Sequence, residues 1–288
     1  FNSKWSQNRF FMGLKNEKLL KHKTSVCYQS TSRKKINLRN KIKIISFVGK
    51  LNSAKGYDLF GKSIIKILDE FPDWKARVIG DEPREKISFK HKRLTITGYI
   101  NNEKVLKFLE KVSVSVICSR WEEPFGRTSL EASSRGSAVI ISNRGGLPET
   151  SSKSIILKDL SSEEIYKEIK NLIKNPVKLK KRQKLNYEHF IFDHQYISNL
   201  IDNFRSELLP NKKSFKQIRQ VIADSNVNDF ESLYKTLYER MDEYTSRPAE
   251  AIIIIEEYMY HSNFRIDKEI NVMACIAKLL EISGKVVI

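Results

Sequence analysis

Six short apolar runs, rich in β-branched residues, recur between residues 43 and 157, with helix-period stretches between them. Strands that are buried on both faces form such runs, and helices between them connect parallel strands. The pattern predicts a Rossmann-like α/β domain with a doubly wound parallel sheet, whose ligands bind at the carboxyl ends of the strands. The predicted strands are Lys43–Val48, Ala76–Ile79, Leu94–Thr97, Val112–Cys118, Ala138–Ser142 and Ile155–Leu157, and the predicted helices span 57–71, 102–111, 127–135, 161–174 and 176–207.

The charge of the chain changes abruptly near Pro210. The whole chain has 52 Lys and Arg against 34 Asp and Glu, a net charge of +18 at pH 7. Residues 211–288 hold 11 basic against 12 acidic residues, so residues 1–210 hold 41 against 22. Such a shift predicts two modules, at 41–209 and 213–288. The second shows helical periodicity only, at 214–224, 229–243, 247–261 and 267–282, which predicts a small all-α bundle.

Residues 1–40 show no sheet of their own, although Ser25–Tyr28 is strand-like. The chain begins with Phe1 and has no signal-peptide pattern, so we expect a fragment of a longer reading frame. In that interpretation, residues 1–40 are the remnant of a preceding domain and a linker.

Three isolated cysteines and short apolar runs exclude several classes of protein. Cys27, Cys118 and Cys275 form no CxxC pair, which argues against a disulfide scaffold or a zinc site and favours a reducing, cytoplasmic compartment. The longest aliphatic run, Ile252–Ile255, cannot span a bilayer. The sequence therefore predicts a cytoplasmic protein, at most peripheral to a membrane.

The segment from Glu123 to Glu131 carries the strongest chemical signal. Gly126 allows a tight turn after a strand, so that a helix begins near Arg127 or Thr128 with free N–H groups that can hold phosphate or sugar oxygens. Both carboxylates can then face one ligand and bind its hydroxyl groups, which suggests a polyol. The residues alone also allow a simpler interpretation, with Glu123 as a helix N-terminal charge and Glu131 on a solvated face.

Taken together, these residues resemble the donor-binding half of retaining GT-B glycosyltransferases, the glycosyl transferases group 1 family. The E-P-F-G-x-x-x-x-E-A motif at 123–132 is followed by Asn143–Glu149, N-R-G-G-L-P-E, at the family's spacing. Upstream, 47–56 resembles the family's G-R-x-x-x-x-K-G loop, with Lys50 in place of the usual Arg. That exchange keeps the charge and loses the bidentate fork. The resemblance extends over about residues 1–208, and at its edge Asn2–Trp5 and Ser25–Ser30 resemble the crossover between the two family domains.

The resemblance implies a hexosyltransferase that moves a sugar from a nucleotide-diphosphate sugar to an acceptor with retention. It implies no metal and no other cofactor, because basic residues and helix N–H groups neutralise the leaving diphosphate. The acceptor stays open, lipid-linked or polysaccharide, and the fragment is expected to be inactive alone because the acceptor domain is missing. The implied catalytic residues are Lys50, Lys55 and Glu123, and the implied substrate-binding residues are Glu131, Phe125, Gly126, Arg127, Thr128, Gly49 and Gly80.

A second motif, from Gly56 to Ser63, matches the P-loop pattern G-x4-G-K-S by letter. The first glycine of a P-loop follows its strand directly, whereas the predicted strand ends at Val48. An apolar helical stripe also runs through the motif. We therefore interpret Lys62 as a solvated helix residue.

The second module resembles the C-terminal collar domain of the small subunit of T4-like phage sliding-clamp loaders. Lys216–Arg219, Pro248–Ile253 and Arg265–Ala274 fit that family's outline. The resemblance implies oligomerisation through the bundle and suggests a phage-derived or metagenomic frame, a natural fusion or an assembly junction. It leaves open an alternative function in DNA replication, and a non-catalytic interaction protein on an enzyme scaffold is a third interpretation.

The predicted helix 176–207 concentrates positive charge. We expect its basic residues to face solvent or an anionic membrane surface that bears a lipid-linked acceptor. These residues are Lys178, Lys180, Lys181, Arg182 and Lys184.

Overall fold

The computed structural model describes residues 1–12, 24–208, 220, 230–262 and 268–282. The chain divides into two compact units, Phe1–Ser198 and Asn199–Ile288. The predicted seam at 209–213 lies outside the described residues, and so does the predicted helix 214–224 except for Gln220.

The first unit alternates strands and helices. A short helix α1 (Lys4–Phe11) precedes them, and 3-10 turns span Leu38–Asn40 and Leu147–Glu149. The strands are β1 (Ile42–Val48), β2 (Lys75–Ile79), β3 (Leu94–Ile96), β4 (Val112–Ile117), β5 (Ala138–Ile141) and β6 (Ile155–Ile156). The further helices are α2 (Tyr57–Glu70), α3 (Asn102–Leu109), α4 (Arg127–Ser134), α5 (Ser162–Lys174), α6 (Pro176–Glu188) and α7 (His194–Leu208), the last of which crosses into the second unit.

All six strands form one parallel sheet in the order β3-β2-β1-β4-β5-β6. The predicted doubly wound, Rossmann-like fold is thus confirmed. The winding direction reverses between β1 and β4, which are hydrogen-bonded neighbours. The loops that leave these two strands open a crevice at such a switch point. The two sequence segments with the strongest chemical signal, 49–56 and 119–131, follow these two strands.

Both faces of the sheet are buried, as the continuous apolar strands require. Ile45 packs in one cluster with Phe60 of α2 and Ile165 of α5. Val48 packs on a second cluster that contains Leu109 of α3. Full burial of each such aliphatic or aromatic side chain contributes roughly 1.5–3 kcal/mol to folding. Helices therefore cover both faces and leave the strand ends open.

One local prediction was wrong, and the strand-like segment 25–28 is not paired in the sheet. The predicted helix 176–207 is interrupted between Glu188 and His194. Phe190 packs there with Phe125 and Leu130, so the chain leaves the helical path to bury this ring. Segment 25–28 forms no strand, and its Tyr28 ring packs on the Phe125 ring at 5.6 Å between centroids.

The second unit is helical in its described parts, as predicted. Its helices are α8 (Phe230–Glu239), α9 (Met241–Tyr244), α10 (Pro248–Ser262) and α11 (Lys268–Ile282). The buried core includes Tyr234, Ile255 and Ile276. The Asn271 amide donates to the Tyr234 hydroxyl at 2.8 Å and satisfies it inside this core.

The helix α2 argues against the P-loop interpretation. It begins at Tyr57, so Lys62 lies well inside it and is exposed. The Ser63 hydroxyl donates to the Phe60 carbonyl and is buried. Neither side chain is placed as a P-loop requires. Among the described residues, no helix is both long and apolar enough to cross a bilayer.

Candidate functional site

A cleft of about 420 Å³ opens at the carboxyl edge of the sheet, between the loops that follow β1 and β4. Eight of the ten predicted site residues line it. They are Gly49, Lys50, Lys55, Glu123, Phe125, Gly126, Arg127 and Thr128. The structure thus brings together two segments that are about 70 residues apart in the sequence.

The N-terminus of α4 forms one wall of the cleft. Gly126 precedes the helix with a φ of 108°, and no side chain caps the first turn. A Cβ atom at Gly126 would collide with the Leu147 side chain, so both backbone angle and space favour glycine. The first N–H groups of a helix have no partner within the helix. Those of Arg127 and Thr128 are therefore available to an anionic or hydroxyl-bearing ligand.

An ion pair joins the two loops across the cleft. The Lys55 ammonium donates a hydrogen bond to Oε1 of Glu123. The side chains are 32% and 13% exposed, so the pair is only partly screened by water. Lys50 lines the same cleft and is exposed. The cleft thus offers cations and one carboxylate within the reach of a single ligand.

Hydrogen bonds fix the loop that carries Lys55. The Asn52 side chain accepts from the Lys55 backbone N–H at 2.9 Å and donates to Glu82 at 3.3 Å. The backbone N–H of Ser53 donates to Glu85 at 2.9 Å. Hydrogen bonds from the Arg84 guanidinium lower the pKa of Glu82 to about 2, so this anchor is ionised at neutral pH.

The Lys55 loop is also held tightly against the end of β4. Gly56 has a φ of 73°, and a Cβ atom there would overlap the carbonyl oxygen of Cys118. Arg120 donates to both carboxylate oxygens of Asp58, at 2.6 and 2.7 Å. These hydrogen bonds lower the pKa of Asp58. The relative position of Lys55 and the Glu123 loop is therefore largely set before a ligand arrives.

The remaining two predicted residues, Glu131 and Gly80, do not line the cleft. Glu131 is only 4% exposed, and its Oε1 accepts from the Asn102 amide at 2.9 Å and from Arg127 at 3.3 Å. Both donors therefore use the same carboxylate oxygen. Gly80 has a φ of 136°, and a Cβ atom there would overlap the carbonyl oxygen of Gly49. Gly80 thus allows a close backbone approach to Gly49, which lines the cleft.

The segment Gly145–Glu149, with the sequence G-G-L-P-E, is hydrogen-bonded to the loop that carries Glu123. The backbone N–H of Gly146 donates to the Glu123 carbonyl at 2.7 Å. The carboxylate of Glu149 accepts from the backbone N–H groups of Lys4 and Trp5, both at 2.8 Å, and so caps the N-terminus of α1. Glu149 is therefore a positioning residue that ties the chain start to this loop.

Sequence reasoning missed three residues of the site. Asn2 and Gln29 line the cleft, and Asn102 holds Glu131. The family-like segments Asn2–Trp5 and Ser25–Ser30 were a usable signal for the first two. No sequence signal marked Asn102, because this residue begins α3 and is far from the motif in the sequence. Within the described ranges, no three His, Cys, Asp or Glu side chains lie together as a metal site would require.

Comparisons with known proteins identify relatives of part of this chain. Spore coat protein SA of Bacillus subtilis (strain 168) is 29% identical over 130 residues, which are 41% of this chain and 34% of that protein. The 2-deoxystreptamine N-acetyl-D-glucosaminyltransferase of Niallia circulans is 29% identical over 154 residues, 49% of this chain and 39% of that enzyme. The chain spans about a third of the length of the curated relatives it matches.

The fold is shared with a solved structure, that of the Anabaena protein Alr3699/HepE in complex with UDP-glucose. The two superpose with a TM-score of 0.58 at 17% identity, over 70% of this chain and 62% of that chain. At this identity the likeness concerns the fold.

A family model extends the comparison to the site. The model for glycosyl transferases group 1 matches residues 29–190, more than half of the chain, and includes both loops of the cleft. It stops short of the second unit, so the collar resemblance of residues 213–288 stays a prediction. With the doubly wound sheet and the cleft at its switch point, the match over residues 29–190 makes this chain a member of the glycosyl transferases group 1 family.

Proposed function

We propose that this chain binds the donor of a retaining hexosyltransferase that uses a nucleotide-diphosphate sugar. The observation that carries the proposal is the joint placement of Lys50, Lys55, Glu123 and the uncapped N-terminus of α4 around one cleft. The family membership and the UDP-glucose bound by the Anabaena protein support it. The acceptor, lipid-linked or polysaccharide, and the identity of the hexose stay open within the proposal.

The chemistry follows from charge. Cleavage of the bond between sugar and diphosphate places negative charge on the leaving group, and fixed positive groups stabilise that charge. Lys50, Lys55 and the first N–H groups of α4 supply them, so that no metal ion is required. Glu123 accepts hydrogen bonds from donor-sugar hydroxyls. The ribose reaches past the lining of the cleft to Oε2 of Glu131, whose Oε1 is held by Asn102 and Arg127. We expect the chain alone to bind the donor without turnover, because it spans only about a third of the length of its relatives.

Calorimetric titration tests the proposal. UDP-glucose, GDP-mannose and ADP-glucose are titrated separately into the wild type, Glu131→Ala and the matched control Lys62→Ala, whose side chain is exposed on α2. One donor should bind saturably to the wild type and to the control. Loss of charge-assisted hydrogen bonds to the ribose should weaken binding to Glu131→Ala by roughly 10- to 100-fold. Absence of saturable binding for all three donors would contradict the proposal.

A further inference from the structure

A second cavity, of about 770 Å³, lies at the opposite edge of the sheet and is larger than the cleft in which we propose that the donor binds, named the donor cleft below. It is bounded by residues next to the amino ends of β1 and β4, by the segment that follows α2, and by the α5–α6 junction. Its volume falls in the range of small-molecule sites. The donor cleft does not extend to it, because β1 has 7 residues and places roughly 20 Å between the two sheet edges.

The lining of this cavity has two chemically different parts. One part is apolar, and among its side chains Trp74 and Leu179 belong to the core of the unit. The other part is basic, with a single carboxylate, Asp73. The apolar part consists of Leu38, Phe71, Pro72, Trp74, Ile173, Pro176 and Leu179, and the basic part of Arg39, Lys41, Lys43, Lys180 and Lys184.

Part of the positive charge at the rim is not neutralised by carboxylates. Lys43 pairs with Asp73 at 3.0 Å, and Lys184 lies 3.7 Å from Glu188. Among the described residues, Arg39 and Lys180 have no carboxylate partner. The rim therefore carries a net positive charge that a bound anion would neutralise.

Lys41 contributes little to this rim charge. Its ammonium donates to the backbone carbonyls of Leu109 and Arg135, at 2.9 and 2.6 Å, and is turned away from the opening. Burial lowers the pKa of Lys41 to about 7, so it is only partly charged at neutral pH. The lysine stem, in contrast, adds apolar surface to the cavity.

The outer face of α6 continues the rim. Lys180, Lys181 and Lys184 are exposed there, together with Val177, whose side chain is 78% exposed. The structure corrects the prediction that all five basic residues of this segment face outward. Arg182 is half-buried and donates to the Lys153 carbonyl at 3.3 Å, and Lys178 is also half-buried. The exposed lysines of α6 thus extend the basic rim of the cavity along the helix.

We propose that this cavity takes one anionic lipid from a membrane surface, its phosphate on Arg39, Lys180 and Lys184 and its chain against Trp74 and Leu179. The basic part of the lining favours an anionic headgroup, because the charges are complementary. The apolar part favours an acyl or prenyl chain over free phosphate. The lipid acts as a docking ligand and not as the acceptor, because the donor cleft lies at the other edge. The proposal goes beyond the proposed donor binding and does not depend on it.

Vesicle flotation tests the electrostatic part. Wild type, Lys180→Gln/Lys184→Gln and the control Lys62→Gln/Lys104→Gln are compared on phosphatidylcholine vesicles with and without phosphatidylglycerol. The control removes the same charge from exposed residues of α2 and α3 that do not line the cavity. Wild type and control should float with the anionic vesicles only. Each lysine at an anionic surface contributes a factor of about 5 to binding, so the cavity variant should bind roughly 30-fold more weakly.

Quenching of Trp74 tests the apolar part. The chain has three tryptophans, and Trp5→Phe/Trp121→Phe leaves Trp74 as the only one. Phosphatidylglycerol with brominated chains should quench Trp74, whereas brominated phosphatidylcholine should not. Adding Lys180→Gln/Lys184→Gln to this background should abolish the quenching, and circular dichroism establishes that every variant stays folded.

Each other outcome would overturn the proposal. Equal losses for cavity variant and control would mean a diffuse surface charge, and flotation without quenching of Trp74 would mean that no chain enters the cavity. An equal response of Trp74 to inorganic phosphate, at matched ionic strength, would make this a free phosphate site. Loss of duplex DNA binding in the cavity variant, without any vesicle binding by the wild type, would favour a nucleic-acid surface instead.

Discussion

Lys55 and Glu123 neutralise each other across the donor cleft, and each has a different role assigned in the proposed function. The lysine belongs to the loop after β1 and the glutamate to the loop after β4. A donor that places phosphate on Lys55 and sugar hydroxyls on Glu123 must replace this ion pair with two separate contacts. The pair thus keeps both side chains in place and weakens the binding of any ligand that satisfies only one of them.

The first prediction concerns that competition. Glu123→Gln frees Lys55 for phosphate, so UDP alone should bind about 2- to 5-fold more tightly, as expected for a partly exposed ion pair. The sugar part of UDP-glucose should then add little affinity. Glu122→Gln is the control, since Glu122 pairs with Arg144 at 3.2 Å and does not line the cleft. Weaker UDP binding to Glu123→Gln than to the control would refute this role.

The second prediction separates a positioning residue from a helix cap. Asn102 holds Glu131, whereas its neighbour Asn101 caps α3 by accepting from the Lys104 N–H at 3.0 Å. Asn102→Ala should lower donor affinity about 3- to 10-fold, and its effect on stability should be small because Arg127 still donates to the same oxygen of Glu131. Asn101→Ala should lower the free energy of unfolding by about 1 kcal/mol and leave affinity unchanged. Calorimetry and urea unfolding measure the two quantities, and the same pattern in both variants would remove the distinction.

The third prediction concerns the contact between the Lys55 loop and β4. Gly56→Ala combines a positive φ with an overlap on the Cys118 carbonyl oxygen, so it should destabilise the chain by more than about 3 kcal/mol. Gly98→Ala is the matched control, since Gly98 also has a positive φ, of 63°, but open space around its Cα. Gly98→Ala should lower the free energy of unfolding by only about 1 kcal/mol. Urea unfolding compares them, and equal losses would mean that the close approach is unimportant.

The fourth prediction is a pH dependence that originates at Lys41. Burial lowers the pKa of Lys41 to about 7, below its unfolded value of 10.5. Between these values the unfolded state binds a proton that the folded state does not, so the free energy of unfolding rises with pH. Lys41→Met should flatten this rise between pH 7 and 8.5, whereas Lys43→Met, at an exposed position, should retain it. An unchanged slope in Lys41→Met would contradict this assignment.

Much of the fold was accessible from the sequence because the same residues carry both the local and the tertiary signal. Apolar runs such as the one that ends at Val48 are strands because both of their faces are covered by helices. The break after Glu188 was not accessible in this way. Phe190 fits the helical period, and only its packing with Phe125 and Leu130, which are distant in the sequence, takes it off the helix.

The candidate site, too, could be predicted where local motifs mark its residues and not where only tertiary contacts do. Glu123 and Lys55 were predicted because their motifs have characteristic spacing, and the sheet brings them together. Asn102 was missed because its role depends on a contact with Glu131 that no local pattern announces. The cavity at the other sheet edge could not be predicted for a similar reason, since its walls come from four separate segments between Leu38 and Lys184.

Hydrogen exchange in the presence of UDP-glucose reports where the donor binds. Exchange should become slower in peptides that cover residues 49–56 and 123–131 and should stay unchanged in peptides from 176–188. Uridine, which lacks the diphosphate, should protect neither loop to the same extent. Protection confined to 176–188, or unchanged exchange in both loops at saturating UDP-glucose, would contradict the assignment of the donor site.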